Sequence, residues 1–95
     1  MSETENRYLI RVIYGEETDE TEAATAAEAC DAALDLFFDI AEEDEDRAEV
    51  LRREPDGSLT RLLWLQGTHE GGYLDDEKDP DHQAAQEAYW TFLEA

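Results

Sequence analysis

Thr25-Ala26-Ala27-Glu28-Ala29-Cys30-Asp31-Ala32-Ala33-Leu34-Asp35-Leu36-Phe37-Phe38-Asp39-Ile40-Ala41-Glu42-Glu43 is the stretch that decides the fold. Thr25 and Glu28 form a capping box, a Thr N-cap with Glu three residues on. A helix is expected from Ala26 to about Glu43. At about 100° per residue, Leu36, Ala29, Ile40, Ala33, Ala26, Phe37, Cys30, Ala41 and Leu34 fall on one apolar arc. Glu28, Asp31, Asp35, Asp39, Glu42 and Glu43 fall on the opposite arc, with Phe38 at the boundary. Such a helix must lay its apolar stripe on something flat and apolar.

The flanking segments supply it. Upstream, Arg7-Tyr8-Leu9-Ile10-Arg11-Val12-Ile13-Tyr14 is β-branched and aromatic and stops at Gly15, the pattern of a strand. Tyr8, Ile10, Val12 and Tyr14 share the face expected to meet the core. Residues 16–24 read as a polar connection. Downstream, residues 47–53 and 59–66 read as strands joined by Glu54-Pro55-Asp56-Gly57-Ser58, where Pro presets φ and Gly supplies a positive φ. By simple alternation Leu59, Arg61, Leu63 and Leu65 share one face of the second strand, and Leu62 and Trp64 the other. Residues 67–78 read as a loop. Asp79-Pro80 reads as an N-cap with Pro at the first helical position. A second helix, Pro80 to about Leu93, would bury Ala84, Ala85, Ala88, Tyr89, Phe92 and Leu93 and leave Trp90 off the face. The expected fold is α+β: a two-layer β-α-β-β-α domain over residues 7–95, with a three-stranded antiparallel sheet, two helices and a disordered stretch at residues 1–6.

The chain has 95 residues, with 7 Lys+Arg against 27 Asp+Glu, a net charge of −20. A field of that sign repels DNA, RNA and anionic membranes. No apolar window reaches the ~18 residues of a membrane span, and no signal-peptide pattern opens the chain. Its one cysteine, Cys30, cannot form an intramolecular disulfide, which fits a cytoplasmic protein. The charge is unevenly placed. Residues 23–46 hold nine acids and no base, whereas residues 47–66 hold three acids and four bases. Six of the seven bases are arginines on expected strands.

Catalytic motifs fail on inspection. His69-Glu70-Gly71-Gly72-Tyr73 lacks the second His of the zinc-protease helix, and Gly-Gly opposes a helix there. The acidic run 75–81 lacks EF-hand spacing and its central Gly. Cys30 lies on the apolar arc, where a thiol acts as a small hydrophobe. No nucleophilic triad, phosphate loop or carrier-type attachment serine is present. No cofactor and no metal is expected, and the chain reads as a non-enzyme.

The candidate site is therefore the acidic surface: Glu28, Asp31, Asp35, Asp39, Glu42, Glu43, the extension Asp44, Glu45 and Asp46, and the second run Asp75, Asp76, Glu77, Asp79 and Asp81. From Glu28 to Glu43 a helix advances ~22 Å, so its six carboxylates amount to roughly one negative charge per 3.8 Å of axis. One strand of B-DNA carries a phosphate every ~3.4 Å. In size, charge and this carboxylate-lined helix the chain resembles, as a class, the small acidic DNA-mimic inhibitors of phages and mobile elements, of the anti-CRISPR and anti-restriction type. That resemblance implies a basic, nucleic-acid-binding protein as partner, for instance a CRISPR effector complex, and competition for its cleft. Two other readings are compatible with the composition: a domain adapted to a salt-rich cytoplasm, and an acidic partner subunit such as an antitoxin or chaperone. Phe38, Trp64 and Trp90 are either core residues or interface anchors.

Overall fold

A computed structural model describes residues 7–40, 46–67 and 70–94. The expected disordered stretch 1–6, the helix extension Ala41–Glu43, and the candidate residues Glu42, Glu43, Asp44 and Glu45 lie outside the described residues.

The strand elements are β1 (Tyr8–Tyr14), β2 (Glu17–Ala23), β3 (Arg47–Arg53), β4 (Leu59–Gln66) and β5 (Glu70–Tyr73); the helices are α1 (Ala26–Ile40) and α2 (His82–Glu94). The class is α+β as expected, but the sheet has five antiparallel strands in the order β2-β1-β3-β4-β5. The three-strand expectation is corrected at both edges. β2 (Glu17-Thr18-Asp19-Glu20-Thr21-Glu22-Ala23) has no apolar alternation, because six of its seven residues are exposed. It forms because a tight turn at Gly15, φ 60°, folds it back on β1. β5 contains Gly71-Gly72, which reads as a loop. Here the glycines serve the packing. A side chain at Gly72 would strike the Trp64 ring at 2.5 Å, and one at Gly71, φ 148°, would strike the Trp64 carbonyl oxygen. Both glycines let β5 come up under the Trp64 indole.

Both helices cover one face of the sheet. That face carries Tyr8, Ile10 and Val12 of β1, Ala48 and Val50 of β3, and Leu62, Leu63 and Leu65 of β4, all buried. Strict alternation puts Leu62 on the other face. A bulge where β3 pairs β4, at Val50/Leu51, breaks the alternation and lets Leu62 join the core. α1 contributes Ala26, Ala29, Cys30, Ala33, Leu34 and Phe37, and the alanines bring its axis close to the sheet. Leu36, at the edge of the expected arc, is 37% exposed. The Thr25 hydroxyl accepts from the Glu28 amide at 3.1 Å, the expected cap. α2 buries Ala85, Ala88 and Phe92, with Ala84, Tyr89 and Leu93 packed partly against them. Phe92 meets Phe37 edge-on at 5.6 Å. α2 also clamps β5: Tyr89 donates to the Gly71 carbonyl at 3.2 Å, and Gln86 to the Tyr73 hydroxyl at 3.3 Å.

No described helix or strand packs on the second face of the sheet. Leu9 and Leu51 lie there side by side, yet they are only 8% and 7% exposed. Arginines roof them. Arg11 pairs with Glu20 at 2.8 Å and with Glu49 at 3.8 Å, Arg61 with Glu49 at 3.3 Å, and Arg53 with Glu22 at 2.6 Å. Long aliphatic stems cover the leucines while the guanidinium groups stay wet. Arg61 also stacks over the Trp64 ring, 4.2 Å from its centroid. The planar fork of arginine suits this lattice better than a lysine point charge, which fits a chain with one Lys. Among the described residues no helix is long and apolar enough to cross a membrane.

Candidate functional site

The fold sorts the charges by layer. All six arginines lie on or beside β1, β3 and β4. Neither α1 nor α2 contains a Lys or Arg. The outward surface of the helix layer is therefore acidic, and His82 stands at the start of α2. His82 Nδ1 lies 2.8 Å from the Leu74 carbonyl, a contact that ties the ring to the end of β5.

On α1, Glu28, Asp31, Asp35 and Asp39 are exposed and have no arginine partner among the described residues. From 28 to 39 the axis rises ~16 Å, so these four amount to roughly one charge per 4.1 Å of axis, slightly sparser than the six-acid line that includes Glu42 and Glu43. The structure adds acids that sequence reasoning did not include, Glu87 of α2 and Glu22 of β2. Between the parallel helices runs a groove of about 480 Å³, with Asp31 on the α1 wall, Glu87 on the α2 wall, and Ala27, Ala84 and Ala88 among its lining. A second groove, along the β2 side of α1, joins Glu22 and Glu28 to Asp31 and Asp35. A third, on the far side of α2, joins Glu87 to Glu77. Asp31 and Glu87 each belong to two of these grooves, so the carboxylates form a belt across the helix layer. No Lys or Arg lines any of the three. Glu87 has no neighbouring acid in the sequence, and only the parallel packing of the helices brings it opposite Asp31.

The rest of the expected site divides. Asp75, Asp76 and Glu77 are exposed in the turn before α2, where the Asp76 carboxylate accepts from the Lys78 amide at 3.1 Å. Asp46 is buried, 6% exposed. Its side chain accepts from the Gly15 amide at 3.3 Å and its carbonyl from the Gly67 amide at 3.2 Å, which fastens the β1–β2 turn to the end of β4. Asp79 and Asp81 face inward on Arg52. The Arg52 guanidinium reaches Asp79 at 2.6 and 2.9 Å, Asp81 at 3.0 Å and Glu54 at 2.8 Å. Tyr8 adds a hydroxyl donated to Asp81 at 2.9 Å. Hydrogen bonds from Arg52 hold the Asp79 carboxyl below its ordinary range, against the desolvation that raises it. The Thr60 hydroxyl and Arg52 do the same for Glu54. Burial pushes the Tyr8 phenol up, and the hydrogen bond to Asp81 adds to it. This cluster anchors the start of α2 to β3. Asp79 makes the cap contacts expected of Asp79-Pro80, its Oδ1 accepting from the Asp81 amide at 2.9 Å and its carbonyl from the His82 amide at 3.1 Å, and the Asp81 carbonyl then accepts from the Ala85 amide at 3.2 Å as α2 begins.

Cys30 borders the central groove but is 1% exposed. Burial, with Asp31 beside it, pushes its thiol up to about 12, so a thiolate nucleophile is unfavourable there. Among the described residues no three His, Cys, Asp or Glu side chains are grouped to hold a metal ion. Phe38 and Trp90 stand in the helix layer 49% and 54% exposed, and Trp64 is half-buried on the opposite face. Compared with protein families, with curated proteins and with solved structures, the chain matches none.

Proposed function

We propose that the helix layer is a protein-binding surface that imitates a nucleic-acid backbone and occupies the basic cleft of a nucleic-acid-binding protein, such as a CRISPR effector or another defence complex. In this reading the protein is a non-enzymatic inhibitor that works in the cytoplasm. One observation carries it: two adjoining helices present carboxylates on their outer surface while every arginine is held on the sheet. The line of acids on α1, joined by Glu87 on the neighbouring helix with axes ~8–10 Å apart, offers a cationic cleft a rigid anionic array. Rigidity lowers the ordering cost of binding. The test is displacement. Labelled duplex DNA or guide RNA is pre-bound to a CRISPR effector, and to a non-specific basic DNA-binding protein as comparison, and this protein is titrated in. Displacement at micromolar concentration or below, weakening as salt rises, supports the reading. No displacement from either class at low salt opposes it.

A second reading has its own observation. The exposed edge strand β2 adds Glu17, Asp19, Glu20 and Glu22, so acids surround the molecule beyond the helix layer. That distribution suits a domain adapted to a salt-rich cytoplasm. Thermal melts separate the two: unfolding below molar salt supports adaptation, and a cooperative fold at ~0.1 M salt, where screening reaches ~10 Å, supports the inhibitor.

A further inference from the structure

The two tryptophans are unequal. Trp64 has the Arg61 guanidinium over its ring at 4.2 Å. Trp90 is 54% exposed. By helical spacing Trp90 follows Gln83 and Glu87 on the outward stripe of α2. Across the groove Phe38 continues the α1 stripe of Ala27, Asp31 and Leu34, and stacks on Phe92 at 6.0 Å. By helical spacing two exposed aromatic rings thus lie beside, not in, the groove that separates Asp31 from Glu87. Exposed aromatic rings within an acidic rim are the composition of an interface core.

We propose that this face takes arginine side chains, rather than lysines, from a basic protein segment. The guanidinium groups stack on Trp90 and Phe38 and pair with Asp31 and Glu87 from the two walls of the groove. The proposal rests on the reading above only in taking the partner to be cationic. Charge alone recruits either residue, since both carry one positive charge. Arginine is selected because its planar group is weakly hydrated and stacks on aromatic faces, and because its fork meets carboxylates in two bonds. Alanines in the groove lining leave room for its aliphatic stem. The molecule already uses this chemistry internally, in the Arg61–Trp64 stack on the sheet.

The experiment uses two labelled peptides, deca-arginine and deca-lysine, and fluorescence anisotropy at ~0.15 M salt. The full-length protein is expected to bind deca-arginine about tenfold more tightly than deca-lysine. In the double variant Phe38→Leu/Trp90→Leu that ratio is expected to fall to about two, with deca-lysine affinity unchanged. Both positions are exposed, and circular dichroism is the check that the variant folds. Glu87→Gln should weaken both peptides and, by removing a carboxylate that the arginine fork meets in two bonds, lower the ratio less than the double variant does; an unchanged deca-arginine affinity in this variant counts against the pairing. Equal affinity for the two peptides in the wild type, or an unchanged ratio in the double variant, overturns the proposal. Failure to displace nucleic acid from a basic cleft leaves this ratio untouched, so the two readings fail separately.

Discussion

Arg52 is the residue whose removal should cost this fold most. Its side chain is 10% exposed, and it bridges Glu54, Asp79 and Asp81, which are 21%, 12% and 14% exposed. Arg52→Met keeps the volume and deletes the charge. Three partly desolvated carboxylates are then left facing one another, with the Thr60 and Tyr8 hydroxyls as hydrogen-bond donors and the Arg7 guanidinium, 3.6 Å from Glu54, as the remaining nearby cation. Truncating one partner of a buried ion pair costs about 3–5 kcal/mol, against a total stability of ~5–15 kcal/mol for a domain. With a urea slope of ~1.3 kcal/mol per M, the midpoint should fall by roughly 2–4 M. The effect has a pH signature. In the wild type the Asp79 carboxyl is depressed, so it contributes stability above the unfolded value of ~3.9, lost as pH falls through its folded value. In Arg52→Met the orphaned acids prefer to be protonated. The gap between variant and wild type should therefore be widest at pH 7 and narrow below about pH 4. Urea melts at pH 7 and pH 4 measure both. A variant within ~1 kcal/mol of wild type at pH 7, or a gap that widens in acid, would refute the assignment of this cluster as the anchor of α2.

Gly72→Ala should push the Trp64 indole off the sheet, because the added methyl falls 2.5 Å from two ring carbons; loss of near-ultraviolet circular dichroism is the expected readout, and an unchanged spectrum counts against the packing described. Cys30 should resist iodoacetamide in the folded protein and react at a normal rate in urea, since burial holds the thiol up to about 12; fast native labelling contradicts its burial. Thr25→Ala removes the hydroxyl that caps α1 and should cost about 1 kcal/mol, while Thr25→Ser should cost little; both are read by thermal melts.

Sequence patterns reveal the elements that bury one face and hide those that do not. α1, β1, β3 and β4 each have a periodic apolar face, and their expected bounds match the described ones to within one residue (β1 begins at Tyr8, not Arg7), apart from the α1 extension outside the described residues. β2 has no such face: its two threonines and four acids are solvated on both sides, and only pairing with β1 makes it a strand. β5 is disguised by Gly71-Gly72, whose use depends on Trp64 in a neighbouring strand. The same limit applies to the site. Acids on one helix can be grouped by counting, which finds Glu28, Asp31, Asp35 and Asp39. Asp79 and Asp81 look like solvent-facing charges until Arg52, 27 and 29 residues away in the chain, claims them. Glu87 is invisible for the opposite reason, since nothing local marks it as the neighbour of Asp31.

The claim at the centre is that the place of the carboxylates on the helix pair matters, beyond their number. Two triple variants change the net charge by the same six units: Asp31→Lys/Asp35→Lys/Asp39→Lys on α1, and Glu17→Lys/Asp19→Lys/Glu20→Lys on the edge strand β2. In the nucleic-acid displacement assay the α1 variant should lose inhibition at least a hundredfold while the β2 variant loses less than about fivefold, in keeping with screening of charges beyond ~8 Å. Equal losses from both variants would show that bulk charge, and not this surface, does the work.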